Sequence, residues 1–144
     1  MPLIAVLGFG VAACGGGETL SKEAFVKRAD ALCKQYKARA KAVEQPKDIQ
    51  DSADVAQYLD EVTPILKEGL AKLKALKPPE DVQSDWDDYI DQLKTGTRLL
   101  DSAAEKAETG GRYVGDLVKL QGASGKAEVA AGKAGAKGCE AAER

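Results

Sequence analysis

Residues 52–94 read SADVAQYLDEVTPILKEGLAKLKALKPPEDVQSDWDDYIDQLK. The apolar residues Val55, Leu59, Val62, Leu66, Leu70, Leu73 and Leu76 recur three or four apart, the period of one helix face. Pro64 removes one backbone hydrogen bond, yet the stripe keeps its phase past it. A single kinked helix over 52–76 is therefore expected. Pro78-Pro79 stops it. A second stripe follows at once: Val82, Trp86, Tyr89, Ile90, Leu93, Thr97, Leu100 and Ala104. Asp81, Asp85, Asp87 and Asp88 crowd its first turns, where the helix dipole favours negative charge. It is expected to run over 80–107 and to end before Gly110-Gly111.

The same reading extends in both directions. Upstream, Ser21 is a good N-cap, and Leu20 and Phe25 sit where a hydrophobic staple would put them. Phe25, Ala29, Leu32, Cys33, Tyr36, Ala40 and Val43 form the stripe of a helix over 21–45, with Pro46 as its stop. Downstream, 112–137 reads as a fourth helix rich in Gly and Ala. Arg112, Asp116, Lys119, Lys126, Lys133 and Lys137 fall on one side and are expected to face solvent. Val114, Leu117, Val118, Gly122, Gly125, Val129, Gly132 and Cys139 fall on the other and are expected to face the core. The alternative is a chain that frays after Gly122. No alternating apolar/polar run is long enough for a strand. Four amphipathic helices with short connections imply an all-α, antiparallel up-down four-helix bundle over 20–139, with 140–144 as a tail.

The N-terminus reads as an address. Residues 1–13 carry no charge and are mostly apolar, too short to span a bilayer and suited to the core of a signal peptide. They end Val11-Ala12-Ala13-Cys14, which looks like a lipobox: a branched residue, two small residues, then the cysteine that receives diacylglycerol after cleavage before it. Gly15-Gly16-Gly17 then reads as a flexible tether within 14–19. No Lys or Arg precedes the apolar core, which points to a start upstream of Met1 or to a weak export signal. With Cys14 set aside, two cysteines remain. In an exported chain an even remainder reads as one disulfide, Cys33 with Cys139. The alternative is two buried free thiols. A bridge closing so long a loop would contribute about 4–5 kcal/mol in the chain-entropy model. In an up-down bundle the end of the fourth helix lies toward the start of the first, which suits the pair.

Composition narrows the chemistry. The chain has 144 residues, a net charge of −2 and no histidine. Histidine is the commonest metal ligand and the usual general base near neutral pH. Its absence, with Met1 the only methionine, closes off haem ligation by His or Met and the Glu-x-x-His di-iron pattern. Cys33 and Cys139 form no C-x-x-C motif. Near-neutral charge argues against a nucleic-acid partner. No nucleophile–base pair is evident, so neither catalysis nor a cofactor is expected.

One candidate ligand site stands out. Asp81, Asp85 and Asp88 share a helix face beside Trp86 and could capture a small molecule or divalent cation. Calcium, however, takes six to eight oxygens, usually from a loop. The plain reading is a solvated helix start, with Trp86 in the core. Likewise Lys27, Lys34, Lys37, Arg39 and Lys41 could face anionic lipid or a wall polymer, or form an ordinary solvated face.

Three places resemble a group of small exported helical lipoproteins of actinobacterial type without assigned activity. These are Leu20-Ser21-Lys22-Glu23-Ala24-Phe25 with Ala29-Asp30-Ala31-Leu32-Cys33, then Leu76-Lys77-Pro78-Pro79-Glu80-Asp81 leading into Trp86 and Tyr89, and the late Cys139. The resemblance implies an extracytoplasmic protein held to the membrane by lipid on Cys14. The anchor, the tether, the disulfide and the lack of chemistry point to an interaction or structural module with an envelope protein or the cell wall as partner.

Overall fold

The computed structural model describes residues 18–140. The apolar leader, Cys14, Gly15-Gly16-Gly17 and residues 141–144 of the tail lie outside the described residues. Four helices follow one another: α1 (Lys22–Lys41), α2 (Ser52–Lys74), α3 (Glu80–Glu108) and α4 (Val114–Lys133), then a 3-10 turn, Lys137–Cys139. There is no strand among the described residues. Each helix packs on the next, antiparallel, in an all-α four-helix bundle. The side-chain pairings follow this order: Tyr36 meets Glu68, Lys67 meets Asp101, and Ser102 meets Asp116.

The helix starts have local causes. The Ser21 hydroxyl accepts from the Ala24 N–H at 3.3 Å. The Asp51 carboxylate accepts from the Ala53 and Asp54 N–H groups at 2.9 and 3.3 Å. Each satisfies donors that the first turn leaves open. α2 runs unbroken through Pro64.

Two ends differ from expectation. α1 stops at Lys41 rather than 45, because the chain turns inward to pack Val43 against the core. α4 begins at Val114 and ends at Lys133 rather than spanning 112–137. At its end Gly135 takes a φ of 83° and the Ala136 N–H bonds back to Ala131 O at 2.9 Å. This is a Schellman stop, which needs a residue without a Cβ at that place. The 3-10 turn then crosses to α1. The helix does not fray after Gly122; it is continuous to its cap.

The core has two parts. At the end carrying the start of α1 and the 3-10 turn, Phe25, Ala29, Leu73, Val82, Trp86, Tyr89 and Ile90 pack with Ala127, Ala130 and Ala131 of α4. The Phe25 and Trp86 rings meet edge to face at 4.8 Å, and the Tyr89 ring lies 4.8 Å from Trp86, tilted by 38°. Such pairs add about 0.5–1.5 kcal/mol beyond area burial. At the opposite end Val55, Leu59, Val62, Leu100, Ala103, Ala107 and Tyr113 form an aliphatic cluster. The Tyr113 hydroxyl donates to Ile49 O at 2.7 Å and so ties the α3–α4 connection to the α1–α2 loop.

α4 is rotated from the sequence expectation: Arg112, Lys119, Lys126, Lys133 and Lys137 are exposed as expected, but the inner face is a different one. Its buried residues are Asp116, Ala123, Ala127, Ala130 and Ala131. Val114, Val118 and Val129, expected inside, are 57 %, 62 % and 61 % exposed. The reason is spacing. α4 lies against α3, and beside the aromatic cluster it packs through the small side chains of Ala127, Ala130 and Ala131. A Cβ on Gly96 of α3 would already stand 3.3 Å from the Leu120 side chain. Asp116 is held inside by the Lys106 ammonium and the Ser102 hydroxyl, which donate to it at 2.6 and 2.7 Å.

Candidate functional site

Cys33 and Cys139 form a disulfide across 106 residues of sequence. Both are buried, and the Tyr89 hydroxyl donates to Cys33 Sγ at 3.3 Å. Burial pushes the Tyr89 phenol far above its ordinary range, so it stays a neutral donor. The turn that delivers Cys139 is held to α1 by three hydrogen bonds to Asp30 and Lys37. The Gly138 N–H donates to Asp30 Oδ1 at 2.7 Å. The Lys37 ammonium donates to Gly138 O at 3.2 Å and to Glu140 O. A Cβ on Gly138 would meet the Asp30 backbone at 2.9 Å, so this approach requires glycine. Burial lowers the Lys37 pKa, while Glu128, Glu140 and Asp30 oppose that shift.

The four residues expected to gather at the start of α3 are separated. Asp81 pairs with Lys22 at 2.7 Å, on the α1 side. Trp86 is 1 % exposed inside the aromatic cluster and cannot meet a ligand at the surface. The expectation of a site beside it is corrected on that ground: an indole of that size, one helical turn from Ile90, fills the core. Its Nε1 has no hydrogen-bond partner among the described residues. Asp87 and Asp91 are engaged along the helix by Gln83 and Lys94. Only Asp85 and Asp88 come together, and they do so in an open groove of about 530 Å³ between α3 and α4. Asp85, Asp88 and Gln92 line it from α3, and Gly122, Gly125, Lys126, Val129 and Lys133 from α4. Opposed carboxylates and ammonium groups suit a zwitterionic or charged ligand. No group of three or more His, Cys, Asp or Glu among the described residues is placed to hold a metal.

Sequence reading missed one buried acid. Asp116 was expected on the solvent face because its neighbours by helical spacing are basic. Hydrogen bonds from Lys106 and Ser102 lower its pKa, against the opposing effect of burial. The signal available was its place in the first turn of α4 opposite Ser102 and Lys106, which only the α3–α4 packing reveals. On α1, the basic residues divide. Arg39 pairs with Glu68 at 2.9 Å and stacks 5.0 Å over the Tyr36 ring, and Lys37 holds the 3-10 turn. A Cβ on Gly69 would come within 2.8 Å of Tyr36 Cγ, so α1 and α2 meet there at closest approach.

No helix among the described residues is long and apolar enough to cross a membrane. No protein-family model, curated protein or solved structure matches the chain.

Proposed function

We propose that the protein is a cell-envelope lipoprotein, anchored outside the membrane through lipid on Cys14, and acting as a non-catalytic interaction or structural module. The sulfur inventory carries this reading. Of three cysteines, two are joined inside the bundle, and the third closes Val11-Ala12-Ala13-Cys14. Disulfides persist in oxidising compartments, which suits export. The Leu20 N–H bonds to Lys77 O at 3.0 Å, so the chain enters the bundle at its disulfide-bearing end. A tether from Cys14 would then present the opposite end, with the loops at 42–51 and 109–113, away from the membrane. The resemblance to small exported helical lipoproteins agrees.

Intact mass of the protein from its native host tests this. The expected product begins at Cys14, carries diacylglycerol or acyl mass there, and lacks two hydrogens at Cys33 and Cys139. A full-length, unmodified, reduced chain would overturn it.

The α3–α4 groove favours a second reading, capture of a small charged molecule or cation against Asp85 and Asp88. Thermal shift with divalent metals, sugars and amino acids tests it, since a ligand that binds only the folded state raises the melting temperature. No shift with any of these classes would sink it.

A further inference from the structure

α4 carries two apolar faces, and the bundle uses one. Tyr113, Leu120, Ala123, Ala127 and Ala130 turn inward. On its outer side Gly115, Val118, Gly122, Gly125 and Val129 recur three and four apart, with no charge among them, and Gly122, Gly125 and Val129 also border the α3–α4 groove. That is the alternation of a coiled-coil seam. A Cβ added at Gly115, Gly122 or Gly125 would meet nothing within 4 Å among the described residues, and Val118 and Val129 stand exposed. Valine and glycine are poor helix formers on an exposed face, so local stability gives no reason for them there. A helix is the partner such a seam fits, since glycines let its axis come close.

The edges of the seam identify the partner. Lys119, Lys126 and Lys133 line one edge, and Gln121 and Glu128 the other. An antiparallel second copy would set lysine row against lysine row. A parallel copy sets each edge against its opposite. Glu128 of each copy then faces Lys133 of the other, in the arrangement by which parallel coiled coils choose partners. Among the described residues neither Glu128 nor Lys133 is engaged in an ion pair, although Glu128 lies near enough to Lys37 to influence it. We infer that the outward face of α4 pairs in parallel with that of a second copy of this chain, Val118 and Val129 against their counterparts and Glu128 against Lys133. Parallel pairing brings the chain entry points of both copies to one end. The pairing does not depend on the lipid anchor, and its failure would leave the lipoprotein reading to be decided by mass alone. A seam with glycine at three of five positions buries little area, so the association is weak, toward the small end of specific interfaces.

Sedimentation equilibrium of the full chain, up to about 1 mM, tests this. A monomer–dimer equilibrium is expected. Val118→Glu should abolish it without changing the melting temperature of the dilute protein, because the side chain faces solvent. Glu128→Lys and Lys133→Glu should each weaken the dimer roughly fivefold or more. An equimolar mixture of those two variants should restore it, since unlike charges then meet on both edges. A chain that stays monomeric, an oligomer that survives Val118→Glu, or a mixture no tighter than its components would each overturn the inference.

Discussion

α3 and α4 lie side by side, yet they obey different rules. α3 sends its large side chains inward, Val82, Trp86, Tyr89, Ile90 and Leu100, and its carboxylates outward. α4 buries alanines and one aspartate and leaves its valines in solvent. The two helices share one interface, so the difference is one of room. Trp86 and Phe25 fill the core beside the second half of α4, and there Ala127, Ala130 and Ala131 pack against them. Interiors are packed to crystal density, so volume decides which face of α4 is buried, ahead of hydropathy. Hydropathy regains its say at the outer surface, where the displaced valines require a different explanation.

The contrast can be broken by changing side-chain size at the shared interface. The largest effect is expected from Trp86→Ala, which empties the centre of the aromatic cluster. Urea unfolding should show a loss of about 3–5 kcal/mol. The unpartnered Nε1 offsets part of the indole's contribution, so the lower half of that range is expected. Ala131→Leu comes next. Ala131 is fully buried, and the added atoms should cost about 1–3 kcal/mol by the same measurement. Were α4 rotated as its valines suggest, Ala131 would leave the core, and the change would be neutral.

The smallest effect is one of pH. The folded-state pKa of Asp116 lies below the ordinary 3.8, chiefly through Lys106 and Ser102. Its contribution is therefore complete above that value and is lost as the pH falls through the folded pKa. Unfolding compared at about pH 3 and about pH 6 should show a smaller loss for Asp116→Asn than for the native chain. Glu68, lowered by Tyr36 and Arg39, keeps its own share of the acid sensitivity in that variant. Equal pH dependence in both proteins would mean that Asp116 is not held in the α3–α4 interface.

Much of the fold was legible because three helices have stripes of large residues. In α1, Phe25, Ala29, Cys33 and Tyr36 are buried as their spacing requires, and so are Val55, Leu59, Val62 and Leu73 of α2. The pairing of Cys33 with Cys139 followed from cysteine number and helix count together. The candidate site was half legible. Asp85 and Asp88 do share a groove, because their spacing places them on one face. Lys126 and Lys133 were read only as part of a charged face, because the groove they close depends on how α4 is rotated.

The order of residues alone determined four helices, their approximate spans, their antiparallel succession and the partner of each core cysteine. These depend on periodicity, helix stops and parity, all of which are local or arithmetical. Tertiary structure decided the rotation of α4, the burial of Asp116, the removal of Trp86 from any surface site and the exposure of the glycine–valine seam. Each is a question of which side chain fits a space that three other helices create. A helix of alanine, glycine and valine has no stripe bulky enough to settle that by itself.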